Sequence, residues 1–175
     1  QFFDVTLSQS YGSLSQEEGG PFDVLLLLDR SISMGTGFVT WDGPVLGWDW
    51  VKELSTEDNG IVDFTLSKNG RIGVIDFNGP KDPGNQYVDG HVDLNADDRL
   101  NEYVHSYDFT NGKQIEFNED LTGKVSDIFS SNKDEIKSHI SQKLDKDTID
   151  PDDTTNIKGA LQLAEKIAKA HQATN

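Results

Sequence analysis

The chain has 175 residues, no cysteine, and 31 acidic against 15 basic residues, which gives a formal net charge of -16 at pH 7. Without cysteine it can form neither a disulfide framework nor a zinc-thiolate site. The charge argues against binding to nucleic acid or to an anionic membrane surface, because both would repel it. No apolar run approaches the roughly 20 residues needed to span a bilayer, so we expect no membrane insertion.

The first 20 residues are expected to be a lead-in segment or arm, and residues 21–175 one domain. Residues 24–28 are five consecutive aliphatic residues, and a run that is apolar on both faces predicts a central strand of a parallel sheet covered by helices. The run ends at Asp29, and Ser31 and Ser33 follow. Ligands of such sheets bind beyond the carboxyl ends of the strands, so these oxygens lie where a site for Mg²⁺, Mn²⁺ or Ca²⁺ is expected.

Two short segments carry a resemblance to a known family. The sequence DRSIS at 29–33 resembles the D-x-S-x-S motif of von Willebrand factor type A (vWA) domains, where it forms the first loop of a metal-ion-dependent adhesion site. The sequence DDTTNI at 152–157 resembles the second loop, which supplies a threonine. The resemblance implies a divalent cation, with Mg²⁺ favoured over Mn²⁺ or Ca²⁺. The implied metal ligands are Asp29, Ser31, Ser33 and Thr155.

The same resemblance implies a fold. It predicts an α/β, Rossmann-like vWA architecture in which a central, mostly parallel sheet is flanked by helices. The family's third metal loop, an aspartate after the next core strand, does not occur before Asn175, so we expect the N-terminal part of the domain, truncated before the later strands. Because the family's first strand is central, another segment or chain is expected to supply the remainder of the sheet.

Further elements follow from periodicity and turn residues. Residues 71–77 predict the second core strand, with Asp76 at a solvent-exposed end, and residues 114–117 predict an edge strand. Three helices are predicted: one beginning near Trp48, one capped by Ser131 or Asn132, and one over residues 157–171.

Residues 81–113 are polar, acidic and least like the family, so we expect an insertion there. Within it, the sequence from 93 to 101 places oxygens at positions 1, 3, 5 and 9 of a calcium loop but lacks the glycine at position 6 and the acid at position 12. Two interpretations stay open, a solvated acidic loop or a second calcium site. The residues of that site would be Asp93, Asn95, Asp97 and Asn101.

Three tryptophans, Trp41, Trp48 and Trp50, follow the first motif closely. Tryptophan is a favoured anchor at protein interfaces, so they are candidates for a recognition surface. The alternative is that they pack beneath their own loop or onto the adjacent helix.

The function implied by the resemblance is binding. The chain is similar to surface and pilus-tip adhesins of Gram-positive bacteria, which implies an extracellular location on the cell wall or pilus and a host or matrix protein bound through a carboxylate. The alternatives are a structural domain of a surface fibre, or a vWA subunit of an intracellular chelatase or ATPase complex, although no G-x-x-x-x-G-K motif is present. An enzyme is not expected, because no nucleophile elbow occurs and no histidine is placed to activate Ser31 or Ser33.

Overall fold

The structure is a computed structural model that describes residues 21–35, 37–40, 43–79, 97–145, 148 and 155–174. Strands and helices are numbered in chain order. The strands are β1 (Phe22–Asp29), β2 (Gly37–Thr40), β3 (Gly43–Leu46), β4 (Gly70–Phe77), β5 (Val104–Asp108) and β6 (Lys113–Glu116). The helices are α1 (Gly47–Thr56), α2 (Ile61–Ser67), α3 (Asp97–Tyr103), α4 (Val125–Ile128), α5 (Lys133–Lys143) and α6 (Ile157–Thr174), with a 3₁₀ helix at Ile32–Gly35.

The main sheet has the order β1-β4-β5-β6, and β2 and β3 form a separate hairpin. β1 runs parallel to β4, whereas the β4–β5 and β5–β6 pairs are antiparallel. The fold is therefore mixed α/β, and the prediction of a mostly parallel sheet is wrong for the described strands. A helical crossover through α1 and α2 returns the chain to the start of β4, while the short turn between β5 and β6 reverses its direction.

Apolar side chains cover both faces of the sheet. On β1, Leu25 and Leu27 pack into the cluster that includes the inner side of α6, and Leu26 and Leu28 pack into the opposite cluster, which includes residues of α1, α2 and α5. This alternation is the consequence of strand geometry, since successive side chains point to opposite faces. The uninterrupted aliphatic run of β1 is thus explained by burial from two sides, as the sequence predicted.

Most predicted elements occur where local patterns placed them. The first helix begins at Gly47, next to the predicted Trp48, and β6 forms an edge of the sheet as predicted for residues 114–117. Asn132 caps α5, because its side chain accepts a hydrogen bond from the Glu135 backbone N–H at 3.3 Å. The β2–β3 hairpin and strand β5 are additions that the sequence patterns did not indicate.

Part of the expected insertion at 81–113 belongs to the sheet. Strand β5 lies inside it and joins β4 to β6, with Val104, His105, Ser106 and Asp108 all buried. Residues 81–96 lie outside the described part of the chain, so the extent of an insertion stays a prediction. Among the described residues, no helix is long and apolar enough to cross a membrane.

The prediction that Asp76 lies at a solvent-exposed strand end is wrong. In the structure Asp76 is 2% exposed within β4, on the face covered by α5. The carboxylate is enclosed because basic side chains from two other elements reach it, Arg30 from the end of β1 and Lys143 from the end of α5.

Candidate functional site

The first loop of the candidate site starts at the carboxyl end of β1. Asp29 is the last residue of that strand, and the backbone N–H of Ser31 donates a hydrogen bond to Asp29 Oδ1 at 2.8 Å. This bond folds the chain back over the strand end, and Ser31 becomes fully buried. Within the part of the chain that the structure describes, no hydrogen bond to Asp29 Oδ2 occurs.

Trp48 packs against the end of this loop at Gly35. The 3₁₀ helix that follows Ser31 ends at Gly35, and a Cβ atom added at Gly35 would lie 2.5 Å from the Trp48 ring. Trp48 is 7% exposed, so the packing interpretation applies to it. Trp50 is 47% exposed, and its role in recognition stays a prediction, while Trp41 lies outside the described residues.

Thr155, the threonine of the second loop, lies two positions before the first residue of helix α6. Asn156 caps this helix, because its Oδ1 accepts a hydrogen bond from the Gly159 backbone N–H at 2.9 Å. The buried cap, 2% exposed, holds the residue before it next to the sheet edge. Thr155 Oγ1 donates a hydrogen bond to Ser31 Oγ at 2.6 Å, across 124 positions of sequence. The fold therefore brings the two separately predicted segments into direct contact.

The remaining predicted metal residues are only partly described. Ser33 lies in the 3₁₀ helix, but its side chain is outside the described part of the structure. Asp93 and Asn95 also lie outside it. Asp97 begins α3, and Asn101 lies within α3, where its Oδ1 accepts a hydrogen bond from the Asn118 backbone N–H at 2.8 Å. The second calcium site stays a prediction, in which Asn101 would have to exchange this contact for a metal.

The chemistry of the first site follows from its donor atoms. Two hydroxyl oxygens and a carboxylate are hard ligands, which suit Mg²⁺, Mn²⁺ or Ca²⁺ better than soft metals. Asp29 is the single acidic side chain among Asp29, Ser31 and Thr155, so the set differs from a carboxylate or histidine cluster. Among the described residues, no group of three or more His, Cys, Asp or Glu is placed to hold a metal ion.

The electrostatics beside the site are dominated by Asp76, for which the sequence predicted a solvent-exposed strand end instead. Asp76 Oδ2 lies 3.0 Å from Arg30 Nη1, and Oδ1 lies 3.0 Å from Lys143 Nζ. Burial alone would raise the pKa of the Asp76 carboxyl, but the neighbouring His105, Lys143 and Arg30 outweigh burial and hold that pKa well below its usual range. The sequence shows an acidic residue inside an apolar strand, but this pattern does not by itself distinguish a buried ion pair from a solvent-exposed strand end.

Comparisons with known proteins assign no family and no function to this site. No protein-family model matches the chain, and no curated protein is significantly similar to it.

Proposed function

We propose that this chain forms part of a vWA-type domain that binds a carboxylate of a partner protein through a divalent cation. The observation that carries the proposal is the 2.6 Å contact between the hydroxyls of Thr155 and Ser31, beside Asp29. Two hydroxyl-bearing segments that are 124 positions apart meet at the carboxyl end of a strand, where ligands of open α/β sheets bind. The proposed ligands are Asp29, Ser31, Ser33 and Thr155.

The donor set also suggests what the cation would do. With a single carboxylate among the proposed ligands, half of the charge of Mg²⁺ would remain uncompensated, and a carboxylate from another protein would be strongly attracted to it. Mg²⁺ is the favoured ion because these are hard oxygen ligands, and Mn²⁺ or Ca²⁺ are the alternatives.

The sheet supports the vWA assignment through its first strand. Among the described strands, β1 pairs only with β4. Val24 to Leu27 are half-buried, whereas Ile72, Val74 and Ile75 of β4 are at most 1% exposed. A long aliphatic strand at a sheet edge is unusual, since such edges promote aggregation. We propose that a further strand, from the remainder of the domain on another segment or chain, pairs with β1.

The proposed biological setting is a bacterial surface or pilus adhesin that binds a host or matrix protein. The net charge of -16 favours divalent cations and basic protein surfaces as partners. The extracellular location rests on the resemblance of the two motifs to the adhesin family.

Metal binding to the 175-residue chain tests the proposal. Mn²⁺ titrations followed by electron paramagnetic resonance should detect one site, with Mg²⁺ as competitor. Asp29→Ala and Thr155→Ala are each expected to weaken Mn²⁺ binding by at least about tenfold, because even residues that only orient metal ligands typically contribute that much. Titration of the Mn²⁺-loaded protein with glutarate should change water-proton relaxation, since the carboxylate would displace a metal-bound water.

Asp120 and Thr122 provide matched controls. They are an exposed Asp and Thr in one turn, where Thr122 Oγ1 donates to Asp120 Oδ1 at 2.8 Å. Asp120→Ala and Thr122→Ala should leave Mn²⁺ affinity unchanged. Absence of a Mn²⁺ site in the unmodified chain, or equal effects of the site and control variants, would contradict the proposal.

A further inference from the structure

Arg30, the residue between Asp29 and Ser31, is held at both its backbone and its side chain. Its backbone N–H donates to the carbonyl of Phe77 at 2.8 Å, which extends the β1–β4 pairing by one residue. Its side chain is 16% exposed, and Nη1 lies 3.0 Å from the Asp76 carboxylate. The position of Arg30 is therefore fixed twice, through its backbone by the Phe77 carbonyl of β4 and through its side chain by the buried Asp76 carboxylate.

The same guanidinium reaches two carbonyl groups that precede the second loop. Arg30 Nε donates to the carbonyl of Lys143 at 3.0 Å, and Nη2 donates to the carbonyl of Thr148 at 2.9 Å. Lys143 is the last residue of α5, and Thr148 lies seven positions before Thr155. One side chain thus connects the first loop of the site to the end of α5 and to Thr148.

Asp76 makes this arrangement stable at neutral pH. Its carboxylate is charged there, and Arg30 and Lys143 bind its two oxygens from different elements. Removing one partner of a buried charge network is costly, because the remaining charge has no water to replace the lost contact. The network therefore resists movement of the β1 end relative to the α5 end.

We propose that Arg30 is a positioning residue that holds the Asp29–Ser31 turn against β4, the end of α5 and Thr148, in the geometry required for metal binding. The inference rests on the proposed metal site and goes beyond it, since it assigns a role to a side chain outside the ligand set. The guanidinium acts through the geometry of the Asp29–Ser31 turn rather than by contact with the cation.

A second arginine provides a matched control. Arg71 forms a bidentate ion pair with Asp23, with Nε–Oδ1 and Nη2–Oδ2 distances of 2.8 Å each. This pair joins the same two strands as Arg30 and Asp76, but Asp23 lies at the opposite end of β1. Asp29 lies six positions after Asp23 along the strand, which corresponds to about 20 Å. Arg71→Ala thus removes a partly buried ion pair between β1 and β4 far from the site.

The test compares Arg30→Ala, Arg30→Lys and Arg71→Ala in the 175-residue chain at neutral pH. Each is measured for Mn²⁺ affinity by electron paramagnetic resonance, for thermal unfolding, and for hydrogen exchange of the Ser31 amide. Arg30→Ala should weaken Mn²⁺ binding by about 10- to 100-fold, the range typical of residues that orient metal ligands. It should also speed exchange of the Ser31 amide, whose hydrogen bond to Asp29 depends on the loop geometry.

Arg30→Lys distinguishes the effect of the positive charge at position 30 from the effect of the guanidinium geometry. Lysine keeps the positive charge beside Asp76, but its single ammonium group cannot reproduce the fork that reaches Asp76 and both carbonyls. We expect thermal stability closer to that of the unmodified chain than in Arg30→Ala, together with Mn²⁺ affinity that remains weakened. Arg71→Ala should lower the unfolding temperature and leave Mn²⁺ affinity and Ser31 exchange unchanged.

The outcomes distinguish this inference from the proposed function. If the unmodified chain binds Mn²⁺ and Arg30→Ala binds it equally well, the role of Arg30 is overturned while the metal site stands. If Arg30→Ala and Arg71→Ala weaken binding equally, the effect is one of general stability, and the inference is also overturned. If the unmodified chain does not bind Mn²⁺, the proposed function fails, and the positioning role fails with it.

Discussion

At the scale of single residues, two buried titratable groups lie on the face of the sheet covered by α5. Asp76 is enclosed by basic side chains, and His139 lies on the same face of the sheet, where its ring stacks on Tyr107 at 4.0 Å between centroids. Burial lowers the pKa of His139 to about 4, and the charge of Lys143 acts in the same direction. The folded protein therefore favours the neutral imidazole at this position.

His139 makes stability depend on pH in a defined window. The unfolded chain binds a proton near the ordinary histidine pKa of about 6.5, whereas the folded chain does so only near pH 4. The unfolding free energy should thus fall between these values as pH is lowered, by at most about 1.4 kcal/mol per pH unit from this group. Above about pH 7 His139 contributes no pH dependence.

His139→Phe isolates this effect, because it retains an aromatic ring against Tyr107 and cannot be protonated. Urea unfolding from about pH 7 to about pH 5 should show a shallower loss of stability in this variant than in the unmodified chain. His171→Gln is a control at a more exposed histidine, 31% exposed and paired with Asp23. Identical pH profiles for His139→Phe and the unmodified chain would contradict a buried neutral imidazole.

At the scale of elements, the position of α6 determines where Thr155 lies. The helix is capped by Asn156 and packs closely on β5 and α3 at Gly159. A Cβ atom added at Gly159 would lie 2.9 Å from Val104 Cγ2 and 3.0 Å from Leu100 Cδ2. Such distances are too short for a side chain, so glycine allows the first turn of the helix to approach the sheet.

Gly159→Ala tests this approach. In an exposed helix interior the change would stabilise by about 1 kcal/mol, because alanine is the better helix former. Here we expect a net loss of about 1–2 kcal/mol, because the added methyl group would force the helix or its neighbours to move. Urea unfolding measures the difference, with Gln162→Ala on the exposed side of the same helix as control. A more stable Gly159→Ala protein would show that the helix has room to move.

At the scale of the whole molecule, the described sheet is asymmetric. β4 has neighbours on both sides and is almost completely buried, whereas β1 carries the candidate site at its end and has one neighbour among the described strands. The site is therefore built at the edge of this sheet. Pairing of a further strand with β1 would place the site near the centre of a larger sheet.

Hydrogen exchange can measure this asymmetry. Alternate backbone amides of β1 that point away from β4 should exchange much faster than those of β4 in the 175-residue chain, because they have no partner strand among the described residues. In a longer polypeptide that supplies the proposed strand, the same β1 amides should become as protected as those of β4. Protection of every β1 amide in the 175-residue chain itself would rule out an open edge.

The parts of this protein that the sequence by itself determined are those encoded by neighbouring residues. The aliphatic run of β1, the cap of α5, the apolar period of α6 and the two oxygen-rich segments are all visible within windows of about 18 residues. The prediction that Thr155 lies near the end of β1 rested on the resemblance of the two motifs to vWA loops and on their order in the chain. The contact between the Thr155 and Ser31 hydroxyls agrees with it.

Tertiary structure alone decided the antiparallel β5–β6 hairpin, the burial of Asp76 and the contacts of Arg30. Arg30 contacts its partners at separations of 46, 113 and 118 positions, so no local pattern could indicate that these groups meet. An isolated aspartate in a strand looks solvated in sequence because water is its usual partner. It is buried here because folding brings two distant cations to it, and their charges replace that water.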